Sequence, residues 1–161
     1  VVRRAAYEQI GGYSPAARSA FDWEMWQRLA AHFAVWYEPR ILATYRQHSA
    51  TASTFLLRNG DQIADALAAI EVAQSYLPAD RRDDFARAAR VNYARRALQL
   101  AQQFANEGDA EAAFANLQAA VKCSQAEEVT SELLHFLSTT QSQIPVHEVE
   151  RVGLGNLEVR R

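Results

Sequence analysis

The stretch "NEGDAEAA", residues 106–113, decides how the second half of this chain is read. Gly108 stands where an ending helix needs a residue that takes positive φ without strain. Asp109, directly after it, carries an oxygen that can accept a backbone N–H at the start of a new helix. A stop and a start this close together make a tight antiparallel helical hairpin. Before it, Ala97, Leu100, Ala101 and Phe104 mix small and large side chains on one face, and after it Ala113, Leu117 and Ala120 do the same. That is the packing pattern of a tetratricopeptide-type (TPR) helix pair, but a shift by the repeat's ~34 residues finds no second copy. The reading is therefore one TPR-like hairpin inside a helical bundle.

Working outward from the hairpin, the chain from Asn59 to about Thr140 is rich in Ala, Gln and Leu and poor in β-branched residues, so it is expected to be almost wholly helical. Ile63, Leu67, Ile70 and Leu77 form an apolar stripe on a helix over 59–77 that Pro78 closes. A second helix runs from Asp80 to Asn106, and the hairpin's second arm follows Asp109. Ser124, with Glu127 three residues on, starts a fourth helix with Val129, Leu133, Phe136 and Leu137 on one side. Residues 56–143 are read as one helical domain and 144–161 as a tail after Pro145.

Residues 1–55 have a different composition, with all three tryptophans and the Gly11-Gly12 pair. "RRAAYEQIGG" reads as a short helix stopped by its glycines, and a second helix begins near Ser19, which has capping-box spacing to Asp22. "AVWYEP" (34–39) and "RILATYRQH" (40–48) carry β-favouring residues around Pro39 and predict two short strands. The fold class expected is mainly α: a small α/β remnant with one strand pair, then an all-helical bundle.

Charge and cysteine content narrow the function. A net charge of −2 with interspersed acids and bases gives no electrostatic handle for nucleic acid. No run approaches the ~18 apolar residues of a membrane span. Cys123 is the single cysteine, which excludes an internal disulfide and suits a reducing, cytoplasmic setting, with Cys123 an inert thiol. The chain opens on Val1 as if it were a fragment of something longer.

The chemistry concentrates in "SAFDWEMWQRLA", residues 19–30. At ~100° per residue, Asp22 shares an arc with Met25, Trp26, Leu29 and Phe33, whereas Glu24, Gln27 and Arg28 fall on the opposite side. The wheel thus aims the Asp22 carboxylate inward, and burying a carboxylate costs several kcal/mol unless it is paired. A helix-capping role accounts for such an acid, and so does service as a general base beside aromatic rings.

The run from Val1 to Ser53 resembles the C-terminal part of the catalytic domain of family 2 glycosyltransferases, the inverting GT-A enzymes. The residues that carry the resemblance are Arg4, Gly11, Gly12, Tyr13, Asp22, Trp23, Glu24, Trp26, Arg28, Tyr45, Arg46 and His48. It implies that residues 1–55 are the acceptor-side end of a domain that moves a sugar from a nucleotide-sugar donor to a hydroxyl acceptor with inversion. Asp22 would be the base, Tyr13, Trp23, Trp26 and Arg46 would contact substrate, and His48 would be a metal ligand. The full-length parent would use a divalent metal, Mn or Mg, to hold the diphosphate. Phe21 departs from the family pattern, in which a second acid is common. No Asp-x-Asp, the family's metal motif, occurs in these 161 residues. The chain by itself is therefore expected to be inactive and to hold no cofactor tightly. An interaction module is the alternative: the TPR-like helices would bind a protein partner or self-associate through apolar surface.

Overall fold

A computed structural model of the chain describes residues 1–44 and 52–139, the side chains of 52–54 excepted. Among the described residues are seven α-helices: α1 (Arg4–Ile10), α2 (Phe21–His32), α3 (Ala52–Arg58), α4 (Asp61–Ala73), α5 (Arg82–Asn106), α6 (Ala110–Cys123) and α7 (Glu127–Thr139). A 3-10 turn, Pro15–Ala20, leads into α2. No helix among them is long and apolar enough to cross a membrane.

The hairpin forms as its sequence dictates. Gly108 adopts φ 77°. Its N–H donates to the Ala105 carbonyl at 3.0 Å, and the Asp109 N–H donates to the Phe104 carbonyl at 2.9 Å, so two orphan carbonyls at the end of α5 are satisfied. The Asp109 carboxylate accepts the Ala112 N–H at 3.2 Å and caps α6. The same carboxylate pairs with Arg58 at the end of α3, which ties a third helix to the turn.

All seven residues of the small-and-large pattern are buried: Ala97, Leu100, Ala101 and Phe104 from α5, Ala113, Leu117 and Ala120 from α6. Alanines at the crossing let the two backbones approach, and Leu117 and Phe104 fill the space beside them. Each such large side chain contributes about 1.5–3 kcal/mol on leaving water. Val129, Leu133 and Phe136 of α7 and Ile63 of α4 complete this core, with Leu67 and Leu137 partly buried against it. Within the core, Asn116 is fully buried and donates from Nδ2 to the Leu57 carbonyl at 2.8 Å and the Ala112 carbonyl at 2.9 Å, so it fastens the end of α3 onto α6.

The turn from α3 into α4 presses on α6. Gly60 has φ 75°, and a Cβ there would lie 3.1 Å from the Ala115 carbonyl oxygen and 3.3 Å from the Ala119 Cβ. Gly60→Ala is therefore strained twice, by its backbone and by a close approach to main chain. The left-handed conformation alone costs about 1–2 kcal/mol. We expect thermal unfolding followed by circular dichroism to show a Tm lowered by roughly 4–8 °C.

The first part of the chain packs onto α4, which thereby faces residues 15–32 on one side and the hairpin on the other. Ser19 donates both its N–H, at 3.4 Å, and its hydroxyl to the buried Asp65 carboxylate. Arg18, 3.7 Å from that carboxylate, is held at φ 50°, an unfavourable conformation for a non-glycine residue. The expected capping box of Ser19 with Asp22 is thus replaced: α2 has no side-chain N-cap, and Ser19 answers to an acid 46 residues away.

The expected strand pair is not seen among the described residues. Residues 34–44 have no regular hydrogen-bonded structure, and Val35, Trp36, Tyr37, Ile41 and Leu42 are exposed. β-propensity measures fit to a half-buried pleated surface, and no neighbouring strand among the described residues supplies that surface. The second half of the expected second strand and the 144–161 tail lie outside the described residues.

Candidate functional site

Helix α2 is turned differently from its wheel reading. Glu24 and Met25 are fully buried and Leu29 nearly so, whereas Asp22 is exposed and Trp26 is 58% exposed. The inward aim expected of the Asp22 carboxylate is corrected, and so is the outward aim of Glu24 and Arg28. The reason is an ion pair one turn apart: Arg28 Nε donates to Glu24 Oε1 at 2.8 Å and one terminal nitrogen to Oε2 at 3.0 Å. The guanidinium also donates to the Ile10 carbonyl at 2.7 Å and the Gly12 carbonyl at 2.8 Å, which are free because α1 has ended at Gly11. A fully hydrogen-bonded fork of this kind lets a carboxylate leave water, and it fixes α1 to α2.

Asp22 sits in the first turn of α2 and accepts the Trp23 N–H at 2.7 Å. Trp26, four residues on, is its neighbour along the helix surface. Tyr13 and Phe21, both exposed, meet edge to face at 5.2 Å on the approach to that turn. Asp22 and the exposed rings of Phe21 and Trp26 thus share the start of α2, with Tyr13 against Phe21. Trp23 is not part of that cluster. It points to the other side, packs edge-on against Tyr93 at 5.6 Å, and lines a groove of about 440 Å³ between α2, α4 and α5. Arg46 and His48 lie outside the described residues. Among the described residues no three His, Cys, Asp or Glu side chains converge on a metal position.

Two weak acids, the half-buried Tyr76 hydroxyl and the buried Cys123 thiol, behave as their surroundings require. Burial, and secondarily the Glu24 charge, pushes the Tyr76 hydroxyl up to about 12; it has no hydrogen-bond partner of normal geometry, although Glu24 is near enough to act on it. Burial likewise pushes the Cys123 thiol up to about 11, and the thiol donates to the Arg90 carbonyl at 3.2 Å. Both groups are neutral in the folded chain at pH 7. Each ionises more readily once unfolded, from ordinary values of 9.0 and 10.0. Their contribution to stability is therefore intact below about pH 9 and is lost as the pH rises toward 12. Urea unfolding at pH 8 and pH 10.5 is expected to give a lower midpoint at the higher pH, less so in Tyr76→Phe.

Sequence reasoning passed over the Glu24–Arg28 pair, although its signal, opposite charges at i and i+4, was present. Comparison with protein-family models, with curated proteins and with solved structures finds no match to this chain.

Proposed function

We propose that residues 1–55 are the acceptor-side element of an inverting glycosyltransferase, with Asp22 as the general base. The observation that carries the reading is the exposed carboxylate of Asp22 beside the exposed indole of Trp26, on a helix start fixed by the Glu24–Arg28 fork. A sugar alcohol stacked on an indole face would present its hydroxyl to such a carboxylate, which accepts the proton as the oxygen attacks the anomeric carbon. The glycosyl bond to the diphosphate breaks as the new glycosidic bond forms, with inversion. Nucleotide sugar and metal would be held by parts of a longer chain, together with Arg46 and His48. The ordered set of residues from Arg4 to His48 supports the family reading.

The test separates the two tryptophans in a longer enzyme that contains this segment. Trp26→Ala is expected to raise the acceptor KM at least about tenfold with little change in Tm, because Trp26 is exposed and its loss removes binding rather than packing. Trp23→Ala is expected to lower Tm and leave the acceptor KM close to wild type. The opposite pattern would move the acceptor site to the groove.

The second reading, a TPR-like protein-interaction module, is favoured by the apolar groove that α2, α4 and α5 leave open.

A further inference from the structure

We propose that Asp65, on α4, is a positioning residue for Asp22: through Ser19 it fixes how the chain enters α2, and so where the candidate base stands. The proposal rests on the reading of Asp22 as a general base. Helix α2 does not secure its own start, since its N-cap position is Ala20 and no side chain caps it. The hold comes from another helix. Ser19, on the approach to Asp22, donates its N–H at 3.4 Å and its hydroxyl to one oxygen of the Asp65 carboxylate, and Arg18 lies 3.7 Å from the other oxygen. Asp65 is itself buried in the face of α4 that meets residues 15–20.

A buried carboxylate needs partners of this kind, and as a charged acceptor it holds them more firmly than a carbonyl would. Two observations make the grip rigid. Ala17 is fully buried just ahead of Ser19, and Arg18 between them stands at φ 50°, a conformation that persists only where the surroundings over-determine it. The Glu24–Arg28 fork ties α2 to the carbonyls at the end of α1, whereas the Asp65 carboxylate gives α2 a directional link to α4. The Asp22 carboxylate accepts the Trp23 N–H at 2.7 Å, a bond within its own turn, so its place in space follows the backbone of the helix start. A general base works only within about 2.6–3.2 Å of its proton. A displacement of about 1 Å costs on the order of 100-fold in rate.

The test is steady-state kinetics of a longer enzyme that contains this chain, with kcat and acceptor KM measured well below the Tm of each variant. Ser19→Ala and Asp65→Asn are each expected to lower kcat at least about tenfold while acceptor KM moves by less than about threefold. Ser19→Thr, which keeps the hydroxyl, is expected to restore most of the lost kcat. In an Asp22→Asn background, Ser19→Ala is expected to cost less than about twofold more, because a misplaced base and an absent one lose the same step. A purely structural Asp65 would lower Tm and leave kcat of the folded enzyme as in wild type. That result overturns the proposal, and so does full additivity of Ser19→Ala with Asp22→Asn. Should Asp65→Asn fail to fold, Ser19→Ala decides alone, since Ser19 is exposed. An Asp22→Asn enzyme that keeps its rate removes the base reading and this proposal with it. A slow Asp22→Asn beside a Ser19→Ala with wild-type kcat removes only the role of Asp65.

Discussion

Replacing Arg28 by methionine is expected to destabilise the chain by about 3–5 kcal/mol, because it strands the Glu24 carboxylate in a place without water. Glu24 is fully buried and its partner's side chain is 15% exposed, so neither solvent nor salt can take over the neutralisation. The same change releases the Ile10 and Gly12 carbonyls, the anchor points of α1. Thermal unfolding followed by circular dichroism should show Tm falling by roughly 6–20 °C. The double variant Glu24→Leu with Arg28→Met is expected to be more stable than Arg28→Met alone, since a buried pair exchanged for apolar side chains costs little while a broken one costs much. A single variant with wild-type Tm would mean that Glu24 is not buried against Arg28 in solution.

How much of this was legible in the sequence follows from how local each cause is. The hairpin at 106–113 was readable because its glycine, its cap and its small-and-large spacing act within a few residues, and all seven of its packing positions are buried. The stop at Gly11 was readable for the same reason, whereas α4 ends at Ala73, short of the 59–77 span that Pro78 was expected to close. The rotation of α2 was not, because it is set by carbonyls at Ile10 and Gly12 that a wheel does not contain. Ser19 was misassigned through the same blindness: its partner, Asp65, is on another helix. Residues 34–44 carry strand-forming side chains without a strand, since propensity says what would fit a sheet and not whether a sheet is there. Of the candidate site, Asp22 and Trp26 share the exposed start of α2 and Tyr13 packs against Phe21 beside it, whereas Trp23 belongs to the groove.

The second large effect concerns Asp22, and the exposure of that residue makes its substitution clean. Its carboxylate accepts the N–H of the next residue and is otherwise open to solvent, so Asp22→Asn keeps shape and changes only basicity. Exposed substitutions of this kind shift stability by at most about 0.5 kcal/mol. A general base contributes about 10²–10⁴-fold to rate. The decisive measurement is kcat/KM for sugar transfer by a longer enzyme containing this segment, compared between wild type and the Asp22→Asn variant once their Tm values are shown to be equal. A fall of at least about 100-fold is the predicted result. Transfer at the unaltered rate would contradict it and leave the Asp22 carboxylate with no more than a place in the first turn of α2.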